Sequence, residues 1–572
     1  MTRREKKIVL TLLWMLFGCW AIYTFSNSAI EQARGQLVIQ VPQAVPSAGI
    51  LLVPSTQPVT PPTTLPTTTG AAITCTNAPG VIYPLEGVFL NCHASSFTDQ
   101  QLDQAVISWN MGDPGSQYNI LRGFNVAHPY AYAGSYTATM TITLLTGQVS
   151  VATYPITIAQ DTRPLNHIAN GANVTNLPSG TRNLLAPGGT FVGPLAFAGK
   201  SHIYVGPDAG SGAAPVVTAS NYVQPVTGNG ASASNVVQGI TLTTSDQLAD
   251  GFESAGTCWT FISCHMLNVQ DCFDMNQEPS DVLIENCPDA EVNPYSSSSS
   301  DYFAWMGGQE INIYGCTIPN TVNQACIRLD DPNIKDVNIS YCDIGKTTPS
   351  SNTYKSCITC QWYDYLYVGN TLLTNGPLPI GPLNNSPGAN ASPSAQAQNT
   401  VIDTDTLSNS QLQVKSSAIN TMLVNDAISP PNTYGISVTA NDTSFTGIDK
   451  QVQSLWIEND TVTSTSIYAG FLYLTNGEAQ GIVLDGDVLA DESLIVGSAQ
   501  TYFVCNLNND MDSFTKIVNC TWPATANVVS WANNGVFFDN ANSSNNAGCL
   551  TRAEWEQVTL SGGGHPTGDK YQ

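Results

Sequence analysis

Ile311-Asn312-Ile313-Tyr314-Gly315-Cys316-Thr317-Ile318 is followed 26 residues later by Val337-Asn338-Ile339-Ser340-Tyr341-Cys342-Asp343-Ile344, and this pair decides how the chain folds. Both read apolar–x–apolar–x–x–(Cys/Asn/Asp)–x–apolar. Leu455-x-Ile457-x-x-Asp460-x-Val462 and Ile482-x-Leu484-x-x-Asp487-x-Leu489 repeat it further down. Looser copies centre on Cys272, Cys287, Asn370, Asp405, Asp426 and Cys520. From Cys287 to Asp487 the spacings are 29, 26, 28, 35, 21, 34 and 27 residues. Periods of that size mark stacked supersecondary units. Within each copy the apolar residues alternate with period two, so they share one face of a strand. The strand is expected to break at Cys/Asn/Asp, since Asn and Asp tolerate a left-handed backbone and bond to it in turns. One such corner per turn describes a β-solenoid, in which each coil adds roughly 4.8 Å and only stacking closes the core. An antiparallel sandwich fits less well, because hairpin signals between alternating strands are scarce.

This pattern resembles the right-handed parallel β-helix repeat of pectate-lyase-like proteins. The resemblance covers about residues 161–550 and implies a substrate groove along the first parallel sheet. Strands expected there are Tyr302–Trp305, Ala325–Asp331, Ser356–Trp362 and Ser410–Lys415. With Ile327 and Leu329 inward, Arg328 and Asp330 face outward and Asp331 sits at the edge. These three are the candidate catalytic residues. Tyr302, Trp305, Gln361, Trp362 and Tyr363 are the candidate substrate contacts, since carboxylates, a guanidinium and flat rings together grip sugars and can serve a glycosidic bond. The plainer reading makes Arg328 and Asp330 a surface ion pair worth at most about 1 kcal/mol. Asp271, Asp274 and His265 form a second polar cluster, read as a solvated turn.

Residues 72–160 read as short strands with turn signals. Ser108-Trp109-Asn110-Met111-Gly112-Asp113 and His128-Pro-Tyr130-Ala-Tyr132-Ala-Gly134-Ser-Tyr136 resemble the Trp-x-x-Gly-Asp turn and His-x-Tyr-x-x-x-Gly-x-Tyr strand pair of the polycystic-kidney-disease (PKD) domain, an immunoglobulin-like sandwich. The resemblance makes Trp109 the core plug, Gly112-Asp113 the turn, His128 structural, and the domain a spacer or adhesion module.

Charge, cysteines and the chain's start bound the rest. The net charge is −25, and beyond residue 34 the chain carries 13 basic against 41 acidic residues. No basic patch exists for a phosphate backbone, which excludes nucleic-acid binding. Residues 1–34 hold Arg3-Arg4-Glu5-Lys6-Lys7 and the apolar run Ile8 to Phe25, a signal peptide or signal anchor. The run's length, with Trp14, Trp20 and Tyr23, favours an uncleaved helix at a membrane. Residues 35–71 are a Pro/Thr-rich linker. Residues 551–572 are a cap and tail in which Thr551 and Glu554 form a capping box and Trp555 covers the last coil. Of the 15 cysteines, Cys19 lies in the apolar run. Cys75 and Cys92 are candidates for a bridge. Cys272, Cys287, Cys316 and Cys342 share a repeat position and read as a ladder of buried thiols. Cys357-x-x-Cys360 has no second pair at zinc-ligand spacing, so core filling is the reading.

The expected whole is all-β: a right-handed parallel β-helix preceded by an immunoglobulin-like sandwich and one N-terminal hydrophobic helix. The expected partner is an extracellular polysaccharide, recognised in the groove; whether it is also cleaved there, as by a β-helix polysaccharide lyase or glycoside hydrolase, the sequence leaves open. Hydrolase signatures other than Asp330-Asp331 are missing, so a non-catalytic adhesion rod is the alternative. A phage-tail-like fibre is the more distant one. No cofactor is indicated, though Asp side chains could hold calcium.

Overall fold

Alternation of buried and outward residues along short strands builds two all-β bodies from this sequence. The computed structural model describes residues 70–530, apart from internal stretches that include 288–302, 346–355, 382–395, 440–451 and 492–500. The expected N-terminal helix, the linker before residue 70, the Cys520 copy and the cap at 551–572 lie outside the described residues. Among the described residues no helix is long and apolar enough to cross a membrane.

The first body is a sandwich of two antiparallel sheets. One holds Thr74–Cys75, Gly87–Asn91 and Asn125–Pro129. The other holds Ile120–Arg122, Val106–Asn110, Gly134–Thr143 and Val149–Ile158. Trp109 fills its centre, and its indole nitrogen donates to the Gly123 carbonyl at 2.9 Å. Gly112 turns with φ +70°, and a Cβ there would lie 2.5 Å from the Thr137 carbonyl oxygen, so only glycine fits. His128 is buried 3.1 Å from Asp113, and burial pushes its pKa down. A short helix, Asp99–Asp103, starts on a reciprocal cap between Thr98 and Gln101. Cys75 pairs with Leu90 across its ladder, and no disulfide joins Cys75 to Cys92, so the expected bridge is not formed.

The second body is a parallel β-helix with three sheets. Successive coils pair in parallel, as in Ile284↔Ile313↔Ile339↔Val368↔Ile402↔Leu423↔Ile457↔Leu484 on the second sheet. Every member of that file is fully buried. This is the alternation read from the sequence, now stacked.

The corner differs from expectation by one residue. Left-handed φ values between 50° and 62° recur at Asn286, Gly315, Tyr341, Asn370, Thr404, Asn425 and Asn459. The next residue is the one that turns inward: Cys287, Cys316, Cys342, Thr371, Asp405, Asp426 and Asp460, each almost wholly buried. Asn370 therefore belongs to the turn and Thr371 to the inner file. At the file's start Cys264, whose N–H points at the Cys287 sulfur at 3.4 Å, takes the place expected for Cys272. A second left-handed file lies five residues earlier, at Cys258, Asp281, Glu310, Asp336, Tyr365, Asn399, Asn420 and Ser454. Two such corners frame each strand of the second sheet.

The sandwich is no detached spacer. It lies against the outward face of the second sheet, where Leu283, Tyr314, Tyr367, Val401 and Met422 join its own core. Asn125 donates to the Asp336 carbonyl at 2.8 Å, and Asn338 donates to the Asn125 and Arg122 carbonyls at 2.7 Å. Arg122 pairs with Asp403 at 2.6 Å. Gly315 touches the sandwich so closely that a Cβ would meet the Tyr118 hydroxyl at 1.8 Å. At the rod's start the buried Arg163 binds Glu86 of the sandwich at 3.0 Å and Asp161 at 2.8 Å.

Candidate functional site

The first sheet contains Phe252–Ser254, Phe273–Asp274, Ala304–Met306, the start of Ile327–Ser340, the start of Ile358–Gly369 and Leu412–Lys415. Its register lines up Thr227, Glu253, Asp274, Trp305, Arg328 and Thr359, one per coil. Adjacent members are roughly 4.8 Å apart by strand spacing, which puts Arg328 two steps, about 10 Å, from Asp274. Ile327 and Leu329 are fully buried and Arg328 is half-exposed, the alternation that sets Arg328 outward. Glu253 is also half-exposed, while Asp274 and Thr359 of the same file are 8% and 3% exposed.

Asp331 is half-exposed beyond the strand's bulge, accepting the Asn333 N–H at 2.8 Å. Asp330 pairs in register with Trp362. Tyr302 lies outside the described residues. The side chains of Trp305 and Asp330 lie outside the described ones, and three expected contacts need correction. Tyr363 points into the rod's core, with its hydroxyl 2.7 Å from Thr400 Oγ1. Gln361 and Trp362 are only 2% and 6% exposed, so neither presents an open surface. Simple alternation fails here because register shifts at Asp330 break the ladder between the two long strands.

Sequence reasoning undervalued the file's acidic end. Asp250, Asp271 and Asp274 bring carboxylate oxygens within 4.8 Å of one another. The Asp271 N–H points at Asp250 Oδ1 at 3.3 Å, and Asn276 holds Asp274 through its N–H at 2.9 Å and its amide at 3.2 Å. Glu253, beside Asp274 in the register, accepts from Gln224 at 2.5 Å and Gln277 at 3.1 Å. Burial, then the charge of Asp274, pushes Asp250 up to about 7, and burial raises Asp274. Two carboxyls this close disfavour joint ionisation. Three carboxylate oxygens also suit a hard cation such as calcium. His265, grouped with these residues in the sequence, sits instead on the third sheet beside Thr241. The missed signal was the period itself: Asp250 and Asp271 are 21 residues apart, as are Asp405 and Asp426, which occupy one position in neighbouring coils.

Residues 72–154 match the PKD domain family. That segment is a PKD domain. It is the PKD domain that packs on the second sheet, leaving the first sheet's file on another face of the rod. Solved structures with a similar course include a tailspike protein from Pseudomonas phage LKA1, at 11% identity and TM-score 0.35, covering 82% of this chain and 66% of that one. This chain thus spans just under two thirds of the tailspike's length. A PL6 family polysaccharide lyase from Pseudopedobacter saltans matches at 10% identity and TM-score 0.31, covering 62% of this chain and 92% of its own. The A-module of a mannuronan C-5 epimerase from Azotobacter vinelandii matches at 10% identity and TM-score 0.30, covering 60% and 90%. Curated protein sequences give no match.

Proposed function

We propose that this protein binds an extracellular polysaccharide along the first sheet of its β-helix and cleaves it at the acidic end of the file. The observation that carries the reading is the register Glu253–Asp274–Trp305–Arg328, a straight line of polar and aromatic positions along the rod. A linear polymer of hydroxylated rings offers matching partners: hydroxyls for carboxylates and guanidinium, ring faces for tryptophan. Asp250, held near 7 beside a second carboxyl, is suited to give or take a proton close to neutrality. Asp331, half-exposed beyond the bulge, supplies a further contact. The run Ile8 to Phe25 exports the chain or anchors it at a membrane, which places the partner outside the cell.

The test is a screen of neutral and acidic glycans, with and without calcium, reading retention, reducing-end release and unsaturated-product absorbance. Asp274→Asn and Asp250→Asn are expected to lower turnover at least about 100-fold, the scale of a lost acid or base, while Arg328→Ala weakens retention. Retention without turnover in the parent protein would establish the adhesion rod instead. No retention of any glycan would overturn the reading.

A further inference from the structure

The PKD domain meets the rod over a row of carboxyl groups with few cations to answer them. Asp281, Glu310 and Asp336 occupy one left-handed position in three consecutive coils, each under a tenth exposed. The left-handed backbone turns all three toward the sandwich. There Thr76, Asn91 and His93 receive them: Thr76 contacts Asp281 and Glu310, Asn91 donates to Glu310 Oε1 at 2.7 Å, and His93 pairs with Asp336.

Counting hydrogens at Thr76 gives the inference. Its Oγ1 lies 2.5 Å from Asp281 Oδ1 and 3.1 Å from Glu310 Oε2. A hydroxyl has one hydrogen to give, so two ionised carboxylates would have to share it, whereas a proton on one carboxyl gives each contact a hydrogen of its own. Asp281 already accepts Ser280 Oγ at 3.1 Å on its other oxygen, and the shorter contact marks it as the acceptor of the Thr76 hydrogen. Glu310 Oε2 is then the atom that donates to Thr76.

We propose that the sandwich is latched to the rod by a proton-bearing relay, Glu310 to Thr76 to Asp281, and that losing this proton in alkaline solution releases the sandwich from the second sheet. Deprotonated, the relay leaves two carboxylates facing one hydroxyl hydrogen, with Asp336 in the next coil. The surrounding groups push the same way. Burial, then Asp281 and Asp336, raises Glu310 to about 8, and burial raises Asp281. Burial, then Asp99 and Asp364, raises Asp103 on the sandwich's helix to about 9, and burial raises Asp364. Burial works against a charged His93, but the hydrogen bond and charge of Asp336 outweigh it and hold the ring above its ordinary value. Cys92 and Cys258 stay thiols because burial raises them, and Lys335, near Asp364, is exposed.

The sign follows from linkage. Carboxyls raised in the docked state favour docking most below their free values and lose that contribution as pH climbs through the docked ones. For Glu310 the window opens near its ordinary 4.5 and closes at about 8. His93, also raised, loses its contribution in the same direction.

Hydrogen exchange of the full chain, corrected for the intrinsic effect of pH, reads the latch directly. Between about pH 6 and pH 9, protection of Gly87–Asn91 and Gln309–Tyr314 is expected to fall about 100-fold, one proton being linked over the roughly two pH units up to about 8. Glu310→Gln, which keeps the shape and a permanent donor, is expected to shrink that fall to the part contributed by Asp103 and His93. Thr76→Val is expected to lower protection at both pH values. Parent protection independent of pH, a Glu310→Gln fall equal to the parent's, or parental behaviour of Thr76→Val would each overturn the latch.

Discussion

One position of the coil is filled by thiols in the first half of the rod and by carboxyls in the second. Cys264, Cys287, Cys316 and Cys342 occupy it first, Thr371 bridges, and Asp405, Asp426, Asp460 and Asp487 complete it, all within a few per cent of full burial. Both halves solve one problem: the backbone N–H just past the left-handed corner needs an acceptor from the coil ahead. In the first half a sulfur serves for Cys264, whose N–H points at the Cys287 Sγ at 3.4 Å, and a hydroxyl for Cys342, whose N–H points at Thr371 Oγ1 at 3.4 Å. In the second half each Asp Oδ1 accepts the N–H of the preceding member, at 2.8, 2.8 and 2.9 Å from Asp405 to Asp487. The bonds are shorter, but they bring ionisable groups into the core. Oδ2 of Asp405, Asp426 and Asp460 is buried with no partner among the described residues. Free thiols ionise at about 8.5 and free carboxyls at about 4, and burial raises Cys264 and Cys316 further. Burial works against a charged Cys287, but hydrogen bonds from Cys264 and Cys316 outweigh it and pull it below its ordinary value.

The largest expected effect is therefore one of pH. Burial, then the neighbouring Asp, raises Asp405, Asp426 and Asp460 well above the ordinary carboxyl range. Their contribution to stability is complete below about pH 4, the unfolded value, and is lost as pH rises through the folded values. Hydrogen exchange of 403–430 at about pH 5 and pH 9 should show the carboxyl half losing protection while 280–315 changes less. Glu310 and Asp281 also load that first-half segment, so Glu310→Gln sharpens the contrast. Next in size is Asp426→Ala, which leaves the buried Asp405 N–H without an acceptor and should cost about 1–3 kcal/mol in urea unfolding. Cys316→Ala removes only a small packed sulfur, and about 1 kcal/mol is expected from the same measurement. The smallest effect is a null one. Cys264, Cys272, Cys316 and Cys360, raised by burial, should resist alkylation at neutral pH until the protein unfolds. Rapid labelling of the native rod would break the comparison from the thiol side.

How much of this was legible in the sequence depends on what each feature leaves in residue type. The inward file Ile313, Ile339, Ile457 and Leu484 was readable because burial demands apolar side chains at a fixed offset. The PKD domain was readable because Trp109 and Gly112 have no substitutes where they sit. The corner was misplaced by one residue because Tyr341 and Thr404 take the left-handed turn as Asn370 does, so residue type did not mark it. The groove was half legible. Ile327 and Leu329 fixed Arg328 outward, but the bulge at Asp330 redirected Tyr363 inward. Asp250 went unnoticed because its partners are one coil away and no local motif joins them. The docking of the sandwich was also hidden, since Asp281, Glu310 and Asp336 look like solvated charges until a second domain covers them.

The most direct check is a crystal structure of the protein with an oligosaccharide from a polymer that it retains. The expected result is sugar lying along Glu253, Asp274, Trp305 and Arg328, with its reactive bond beside Asp250. Sugar bound on the PKD domain, with that line bare, would contradict the account.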